Sequence, residues 1–549
     1  MELAVRPEMH TYCGGLGLLA GDTARECADL ELPVVFVTML SRLGYLRQEI
    51  GPSGEQLELP DRWDPKRWCL PLPTRVAVEV EGRSVVVRSW LTVLTGSQGF
   101  RVPVLLLDTD LSENSEADRK LTDALYGGDV TYQLKQEIVL GLGGLRVLRA
   151  LGFDLRTYHM NEGHAALLTL DLLRDAVRGP RKSTAGRALS PVEEIRRRCV
   201  FTTHTPVKAG HHQYGYSLFE QLLPGEVDPT TLRSLAGASR LNLTLLGMNL
   251  SGYINGVSRQ HADTARQMFP RHRIHAVTNG VHLGTWTHRS FARLYDRRIP
   301  RWREEPELLV RAHQLVEREV WDCHQVAKRE LLQRVRRATD VSLEPGAMTI
   351  GFARRMTAYK RPLLLFEEPD RLALLASRRR FQVLLAGKAH PHDKAGREAV
   401  QRLHELARKL DGRLSCVFLA NYDMEWAKAL VAGCDVWLNT PMPPMEASGT
   451  SGIKAALNGG LNLSILDGWW AEGCVEGVNG WSIPHSKGTH TDRRDAASLY
   501  DRLENVVLPC FYDEPLRWRV MMKQAIGHMG SYFNTRRMLH QYATEAYLH

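Results

Sequence analysis

Long apolar runs, paired cysteines and compositional bias are all missing from this sequence of 549 residues. No segment approaches the roughly 20 consecutive apolar residues that cross a bilayer, and the opening MELAVRPEMH has charges where a signal peptide needs an apolar core. We therefore expect a cytoplasmic protein with no membrane partner. The apolar fraction of 44% and the charged fraction of 24% are ordinary for a globular protein, which excludes collagen-like, disordered and coiled-coil classes.

Cysteine is scarce and scattered, with nine residues and no CxxC pair. This pattern indicates reduced structural thiols rather than a disulfide framework or a zinc cluster. His204, His211 and His212 also lack the spacing of an HExxH-type motif, so we predict no metal.

The charge balance is mildly basic, because 71 Lys and Arg against 62 Asp and Glu leave a net charge of +9. A basic balance favours anionic partners. The excess is spread along the chain and no familiar nucleic-acid-reading motif is present, so we expect no nucleic-acid partner. A small phosphate-bearing substrate accounts for the charge equally well.

The length predicts roughly three to four compact units or two large ones. Apolar runs of strand length alternate with helix-period segments, which is typical of parallel βαβ units. The predicted strands are Pro33 to Leu40, Val102 to Leu107, Val200 to Thr203, Met348 to Phe352, Gln382 to Ala386, Cys416 to Leu419, Val436 to Leu438 and Leu461 to Leu466. The segment Val76 to Trp90 alternates around Glu81-Gly82 and predicts an antiparallel hairpin.

We place the domain seam near Asn279, in a segment rich in turn residues. This gives a first domain of residues 1–277 and a second of 278–549, whose C-terminal helix can cross back. In open α/β sheets ligands bind at the carboxyl ends of the strands, so polar residues just past the strands are the first candidates for chemistry.

A glycine cluster, Gly14-Gly15-Leu16-Gly17, precedes a helix-period stretch from Leu18 to Leu30. Glycines at the start of a helix let backbone N–H groups approach an anion, whereas the plainer interpretation is a tight turn.

A basic loop follows the predicted strand at Met348 and contains Arg354, Arg355, Lys360 and Arg361. Guanidinium and ammonium groups at a sheet edge suit phosphate oxygens, whereas the plainer interpretation is a solvated basic face.

The segment Glu446 to Gly460 places Lys454 in the first turn of an apolar helix, after hydroxyl and glycine residues. The positive end of the helix and desolvation both lower the pKa of such a lysine toward the nucleophilic amine that forms a Schiff base. A surface lysine with its amine in water is the alternative.

His164 and His204 each follow a strand-like run, so both are candidates to orient a polar ligand at one sheet edge. Structural histidines are the alternative. Asn279-Gly280 is a turn by composition and offers an amide to sugar hydroxyls.

Together these segments resemble the α-glucan (glycogen, starch, maltodextrin) phosphorylase family. The matching motifs occur in the family's order: YCGGLGLLAGD, LYGGDVTYQLKQE, NEGHAALL, FTTHTPVKAGHH, VTNGVHLGTW, GFARRMTAYKR, AGKAHP, FLANYDM and EASGTSGIKAALNGGLNLSILDG. The resemblance implies an α/β protein of the glycosyltransferase B type, with two Rossmann-like domains facing across a cleft. Since the chain starts near the GGLG loop, a short form without the family's N-terminal extension is expected.

The resemblance also implies the cofactor pyridoxal 5′-phosphate, carried as a Schiff base on Lys454. It implies catalytic roles for Lys454, Arg355, Lys360 and His204. The cofactor-binding residues that it implies are Lys454, Arg354, Trp286, Tyr422, Thr450 and Gly452. The substrate-binding residues that it implies are Gly14, Gly15, Asn161, Glu162, His164, Asn279, Glu446, Ala447, Ser448 and Gly449.

The implied reaction is phosphorolysis of an α-1,4-glucan or maltodextrin from the nonreducing end, with inorganic phosphate, giving α-D-glucose 1-phosphate with retention. Relatives are commonly dimers, so a homodimer is compatible with the resemblance. Two alternatives remain at this point, since fold alone does not fix function. One is a nucleotide-sugar glycosyltransferase of the same fold without the cofactor, and the other is a catalytically silent glucan-binding homologue.

Overall fold

The chain forms two compact units in a computed structural model that describes residues 1–178, 183–184, 187–207, 210–225, 227–488 and 491–548. Unit 1 comprises Met1–Leu46, Pro60–Thr278 and Leu539–His549, and unit 2 comprises Arg47–Leu59 and Asn279–Met538. Each unit therefore contains a short segment that is distant in sequence from the rest of that unit.

The strands are β1 (Phe36–Met39), β2 (Arg47–Ile50), β3 (Gln56–Leu59), β4 (Leu70–Val80), β5 (Arg83–Thr95), β6 (Arg101–Asp108), β7 (Tyr158–Asn161), β8 (Ser183–Thr184), β9 (Arg187–Ala188), β10 (Cys199–Thr202), β11 (Gln213–Tyr214), β12 (Leu241–Asn242), β13 (Tyr253–Gly256), β14 (His275–Ala276), β15 (Met348–Ala353), β16 (Phe381–Ala386), β17 (Ser415–Leu419), β18 (Val436–Asn439), β19 (Leu461–Ile465) and β20 (Gly480–Ile483).

The α-helices are α1 (Gly15–Asp29), α2 (Glu116–Arg119), α3 (Val130–Ile138), α4 (Gly144–Ala150), α5 (Leu168–Arg178), α6 (Pro191–Arg196), α7 (Tyr216–Leu222), α8 (Pro229–Ala236), α9 (Leu243–Asn249), α10 (Arg259–Met268), α11 (Leu283–Trp286), α12 (Arg289–Arg298), α13 (Glu317–Thr339), α14 (Pro369–Arg378), α15 (Lys394–Leu410), α16 (Met424–Gly433), α17 (Ser451–Ala456), α18 (Trp470–Gly473), α19 (Thr491–Arg502), α20 (Leu508–Asp513), α21 (Pro515–Tyr532) and α22 (Thr535–Tyr542). Single turns of 3₁₀ helix include Gly163–Ala165 and Ala358–Lys360. No helix of the described residues is both long and apolar enough to cross a membrane.

Unit 1 contains two four-stranded sheets. One has the order β1-β6-β5-β4, with β1 and β6 parallel and the other pairs antiparallel. The other has the order β14-β13-β10-β7 and is parallel throughout. Their buried apolar side chains share one core with α3 to α5 and α9.

Unit 2 contains a six-stranded parallel sheet in the order β17-β16-β15-β18-β19-β20. The chain builds outward from β15 to β17 and then returns to place β18 on the other side of β15. This reversal between β15 and β18 is the topological switch point where open α/β sheets bind ligands. Strands β15, β16, β18 and β19 are buried along their whole length, which explains their continuous apolar sequences.

The sequence patterns predicted ten of the twenty strands given above, namely the eight in the apolar runs and the two of the β4–β5 hairpin. All eight apolar runs overlap a strand, and the β4–β5 hairpin turns at Glu81 and Gly82, whose φ angles are +55° and +69°. The helix predicted from Leu18 begins three residues earlier, at Gly15. Strands β13 and β20 are among the strands that were not predicted.

Candidate active site

The switch point of unit 2 carries an ion cluster made by Arg354, Lys360 and Glu446. Arg354 follows β15 directly, and Glu446 lies on the connection that leaves β18. Arg354 Nη2 donates to Glu446 Oε2 at 2.5 Å, and Lys360 Nζ donates to both carboxylate oxygens at 2.8 and 2.7 Å. Two strands that are neighbours only in space thus bring together residues 86 or more positions apart.

The charges in this cluster are unbalanced by one cation. Burial alone would raise the pKa of Glu446, but the charges of Arg354 and Lys360 outweigh burial and lower that pKa to about 2. Glu446 is therefore a carboxylate at neutral pH. Arg354 Nε and Nη1 are buried and have no hydrogen-bond partner among the described residues. These two donors are available to a second anion.

Asp467 fixes the backbone on which Glu446 sits. Its Oδ2 accepts from Glu446 N–H at 2.9 Å, and its Oδ1 accepts from Gly468 N–H at 2.9 Å. Burial, together with the nearby Glu446 charge, raises the pKa of Asp467 to about 7. A Cβ at Gly468, where φ is +54°, would lie 2.4 Å from Ser448 O, so the contact between these two loops requires glycine.

Lys454 lies on α17, the short helix that follows the Glu446 loop. Its side chain is buried, and Nζ stands 3.7 Å from the centroid of the Trp286 ring. Asn458 Nδ2 donates to Trp286 O at 2.9 Å and to Lys454 O at 3.0 Å, which holds the tryptophan segment against the helix. Gly452 allows α17 to approach β19, since a Cβ there would lie 2.2 Å from Asn462 Oδ1.

The other residues of unit 2 that the sequence predicts to bind substrate or cofactor differ in burial and in backbone conformation. Asn279 Oδ1 and Ser448 Oγ are buried without a partner among the described residues. Thr450 precedes the first residue of α17, and Gly449 has a φ of +82°. Tyr422 is half-buried, as is Ala447.

The side chains of the basic loop differ in their exposure to solvent. Arg355 is exposed, whereas Lys360 is buried in the ion cluster. Arg361 is a structural residue, because its guanidinium donates to Asp495 Oδ2 at 2.7 Å and to the carbonyls of Thr440 and Pro441 at 2.9 Å. Arg361 therefore does not take part in the ion cluster, because buried acceptors already satisfy its guanidinium.

A hairpin that the sequence did not predict, β2–β3, supports two more loops of unit 2. Gln56 Nε2 donates to Ala389 O at 3.0 Å, and Gln56 Oε1 accepts from Ala389 N–H at 2.9 Å. Gln48 exchanges hydrogen bonds with Asn421, 3.1 Å from its N–H to Oδ1 and 3.0 Å from Asn421 N–H to Oε1. The hairpin thereby fixes the loops that follow β16 and β17.

In unit 1, Asn161, Glu162 and His204 meet at the carboxyl edge of the parallel sheet, where β7 and β10 are neighbours. His204 Nε2 lies 2.6 Å from Asn161 Oδ1, and Glu162 Oε1 accepts from the backbone N–H of His204. Glu162 has a φ of +65° and its side chain is buried. Burial lowers the pKa of His204 to about 4, although the Glu162 charge opposes this, so the imidazole is neutral at pH 7.

The glycine loop of unit 1 begins α1 as predicted, with Gly14 as the residue before the first turn. Glu2 Oε2 accepts from Cys13 N–H at 2.8 Å and from Gly14 N–H at 3.1 Å. The backbone N–H of Gly14 therefore already faces a carboxylate of the same chain, as the positive end of a helix favours.

His164 belongs to a second cluster in unit 1, with Glu137 and His212. The possible ligand atoms of the three side chains all lie within 4.8 Å of one another. The prediction of no metal rested on the spacing of His204, His211 and His212 in the sequence. In the fold, His212 instead lies beside His164. Both imidazoles are hydrogen-bonded to Glu137, with Nδ1 to Oε1 distances of 3.1 and 2.7 Å.

Sequence reasoning missed Asp467, Asn458 and Glu137. Asp467 lies two residues beyond the end of β19, so the rule about polar residues past strand ends could have found it. Asn458 lies just after helix α17 and Glu137 lies within helix α3. Neither follows a strand, so the same rule could not have found them.

The model of the family described as carbohydrate phosphorylase matches residues 153–474. The chain belongs to the carbohydrate phosphorylase family. It is 36% identical to the maltodextrin phosphorylase of Thermococcus litoralis, over all of this chain and 70% of the relative. The glycogen phosphorylases of Mycobacterium tuberculosis and Aquifex aeolicus are 36% and 33% identical, over all of this chain and 70% and 85% of the relatives.

Proposed function

We propose that this chain is an α-glucan phosphorylase that depends on pyridoxal 5′-phosphate. It cleaves an α-1,4-glucan or maltodextrin from the nonreducing end with inorganic phosphate and releases α-D-glucose 1-phosphate with retention. One observation carries the proposal: buried Arg354 presents two N–H groups without a partner beside buried Lys360, in a chain of the carbohydrate phosphorylase family. Fixed cationic donors of this kind stabilise the charge that develops on phosphate oxygens.

The residues around Lys454 suit the cofactor. Lys454 is buried beside the Trp286 ring and would carry the cofactor as a Schiff base, and the two N–H groups of Arg354 would bind its phosphate. Gly452, with Thr450 and Tyr422, completes the proposed cofactor set. When bound, the cofactor supplies a phosphate group that assists proton transfer to and from the substrate phosphate.

The substrate phosphate is assigned to Arg355, Lys360 and the backbone of Gly14 and Gly15. The N–H of Gly14 would exchange Glu2 Oε2 for a phosphate oxygen when the substrate binds. In the proposed reaction the substrate phosphate protonates the glycosidic oxygen and then captures the oxocarbenium-like sugar. Because phosphate performs both steps, no pair of enzyme carboxylates is required, unlike in a glycosidase.

The sugar-binding residues are proposed from both units. They are Asn161, Glu162, His164 and His204 of unit 1 and Asn279, Glu446, Ala447, Ser448 and Gly449 of unit 2. The unpartnered Oδ1 of Asn279 and Oγ of Ser448 support this assignment, since sugar hydroxyls can donate to both. The neutral imidazole of His204 can contact the sugar ring without adding a charge.

The proposal includes the family's arrangement of two Rossmann-like domains, residues 1–277 and 278–549, facing across a cleft. It also includes a homodimer and a cytoplasmic location.

The decisive experiment reduces the purified protein with borohydride and maps the cofactor by peptide mass spectrometry. We expect a pyridoxyl-phosphate adduct on Lys454, none in Lys454→Arg, and glucose 1-phosphate release only when both maltodextrin and inorganic phosphate are present. Proton NMR of the product should show the α anomer.

Two results would contradict the proposal. A protein that carries no adduct but transfers glucose from a sugar nucleotide is a glycosyltransferase of the same fold. Saturable glucan binding without phosphate-dependent turnover, in protein that carries the cofactor or has been supplied with it, identifies a silent homologue.

A further inference from the structure

Glu137 is a fully buried carboxylate at the C-terminal end of α3 that receives hydrogen bonds from three side chains. Its Oε1 lies 3.1 Å from His164 Nδ1 and 2.7 Å from His212 Nδ1. Its Oε2 accepts from Tyr214 OH at 2.7 Å. Three donors on one carboxylate satisfy a charge that would otherwise be strongly unfavourable to bury.

The carboxylate determines which nitrogen of each ring is available to a ligand. Burial alone would raise the pKa of Glu137, but hydrogen bonds from His164 and His212 outweigh burial and lower it, so the group is ionised. An ionised carboxylate only accepts, and each imidazole must therefore donate from Nδ1. Nε2 is the atom left on each ring for any other contact.

Both Nε2 atoms are available in this structure. Neither makes a hydrogen bond with another described residue, and neither is closed off from solvent. The neighbouring His211 differs, because its Nε2 is buried without a partner. His164 and His212 thus combine a fixed nitrogen with an open one.

The rings of His164 and His212 also pack against each other. Their centroids are 4.9 Å apart and their planes are inclined by 80°. His164 lies in the turn Gly163–Ala165, directly after Asn161 and Glu162 at the carboxyl edge of the parallel sheet. Two neighbouring imidazole rings at that edge suit neighbouring hydroxyl groups of a carbohydrate, each of which both donates and accepts.

We propose that Glu137 is a positioning residue that holds His164 and His212 with their Nε2 atoms directed to hydroxyl groups of the α-glucan. The inference rests on the proposed function, because it deepens the assignment of His164 to the substrate. It adds Glu137 and His212 to the glucan site of unit 1.

A divalent cation bound by the same three side chains is the competing chemistry. A cation held directly by all three side chains would need the lone pair of each Nδ1, whereas a cation at the two Nε2 atoms would leave Glu137 as their hydrogen-bond acceptor. The distances from each Nδ1 to Glu137 Oε1 are compatible with both arrangements and with a glucan site. Metal analysis of the purified protein therefore separates the two.

The first test compares Glu137→Met, Glu137→Gln and Tyr214→Phe in the cofactor-loaded protein. Met removes the acceptor, and we expect the apparent KM for maltodextrin to rise about tenfold while the KM for phosphate changes less than twofold. Gln keeps one acceptor oxygen for the rings and should restore maltodextrin KM to within threefold of wild type. Tyr214→Phe removes the hydrogen bond to Glu137 Oε2 and the hydroxyl group that lies 3.3 Å from His212 Nδ1, but it keeps the contacts of both imidazoles with Glu137 Oε1. We expect it to change neither KM more than twofold. Equal increases in both KM values for Glu137→Met, or no rescue by Gln, would overturn the proposal.

A second test uses His212→Asn and His164→Asn, so that the outcome does not depend on whether Glu137→Met folds. Asn supplies an N–H near the Nδ1 position for Glu137 but has no atom at the Nε2 position. We expect each variant to weaken maltoheptaose binding about tenfold by isothermal titration calorimetry, at a melting temperature within 3 °C of wild type. Unchanged binding in both variants contradicts the proposal, and so does a stoichiometric metal that His212→Asn removes.

The calorimetric measurement also separates this inference from the proposed function. If wild-type protein binds maltoheptaose but releases no glucose 1-phosphate, phosphorolysis fails while weaker binding by the two Asn variants still supports the role of Glu137. If phosphorolysis is present and the Asn variants bind normally, the proposed function stands and this inference is wrong.

Discussion

Glu446 is the residue on which the charges at the switch point of unit 2 depend. It is the shared partner of Arg354 and Lys360, both of which are buried. Removing one partner of a buried ion pair typically costs about 3–5 kcal/mol, because the remaining charge stays desolvated. In this cluster two cations would remain.

Glu446→Gln should lower the melting temperature at pH 7 and abolish phosphate-dependent turnover. The folded pKa of about 2 lies below the ordinary value, so the stability that Glu446 contributes is complete above pH 4.5 and is lost as the pH falls toward 2. Thermal unfolding at several pH values should therefore show a constant gap between wild type and variant from pH 8 to 5, and a narrower gap at pH 3. Asp492→Asn is the matched control, since it removes an exposed carboxylate paired with Arg361 and should cost at most about 1 kcal/mol. A gap that widens in acid would contradict this account.

Asp467 should give the opposite pH dependence. Its folded pKa of about 7 lies above the ordinary value, so its contribution to stability is complete below about pH 4 and is lost as the pH rises through 7. We expect the melting temperature of the wild-type protein to fall between pH 5 and 8 more steeply than that of Asp467→Asn. Equal slopes in the two proteins would show that Asp467 does not titrate in this range.

At the scale of single elements, α17 is the helix whose position matters most for the proposed cofactor site. It has six residues, carries Lys454, and follows the Glu446 loop. Its approach to β19 depends on Gly452, where a Cβ would lie 2.2 Å from Asn462 Oδ1 and 2.8 Å from Trp469 Cζ2. A helix this short cannot be stable alone, so packing must hold it.

Gly452→Ala should displace α17 and destabilise the protein by about 1–3 kcal/mol, the usual range for overpacking a core. We also expect the variant to lose bound cofactor during dialysis, measured from its absorbance spectrum. Gly346→Ala is the control, because a Cβ there meets no atom within 4 Å and its backbone is not in the positive-φ region. The same loss in both variants would exclude a local packing cause.

At the scale of the whole molecule, the end of the chain belongs to unit 1. The segment Leu539–His549 places Tyr542 OH 3.0 Å from Asn255 Nδ2, and Glu545 Oε2 accepts from Tyr253 OH at 2.6 Å. It therefore covers strands β10 and β13 of a unit whose other residues all precede position 279.

Deletion of Leu539–His549 should increase amide hydrogen exchange in β10 and β13, because their polar side chains lose these partners. We expect mass spectrometry to show protection lost there and retained in β15 and β16, which lie in unit 2. Tyr542→Phe, which removes one hydroxyl group, should produce a smaller change at the same peptides. Uniform loss of protection across both units would instead indicate global unfolding.

Local patterns accounted for much of the fold and for part of the candidate site. Continuous apolar runs predicted β15, β16 and β18 because strands buried on both faces need apolar residues at every position. The polar residues past those strands included Arg354 and Lys360, which the structure brings together. The hairpin β2–β3 escaped prediction, because its buried Gln48 and Gln56 look like surface residues until their partners are known.

The sequence by itself determined the parallel α/β class, the family and the segments that carry the candidate chemistry, because these follow from periodicity and from motifs of contiguous residues. Only the tertiary structure decided which charges meet. It paired Glu446 with Arg354 and Lys360 and paired Arg361 with Asp495. It also brought Glu137 within hydrogen-bond distance of His164 and His212. These contacts join residues 27 to 134 positions apart. The pKa values of Glu446 and Glu137 also depend on burial and on these distant partners, and no local pattern contains either.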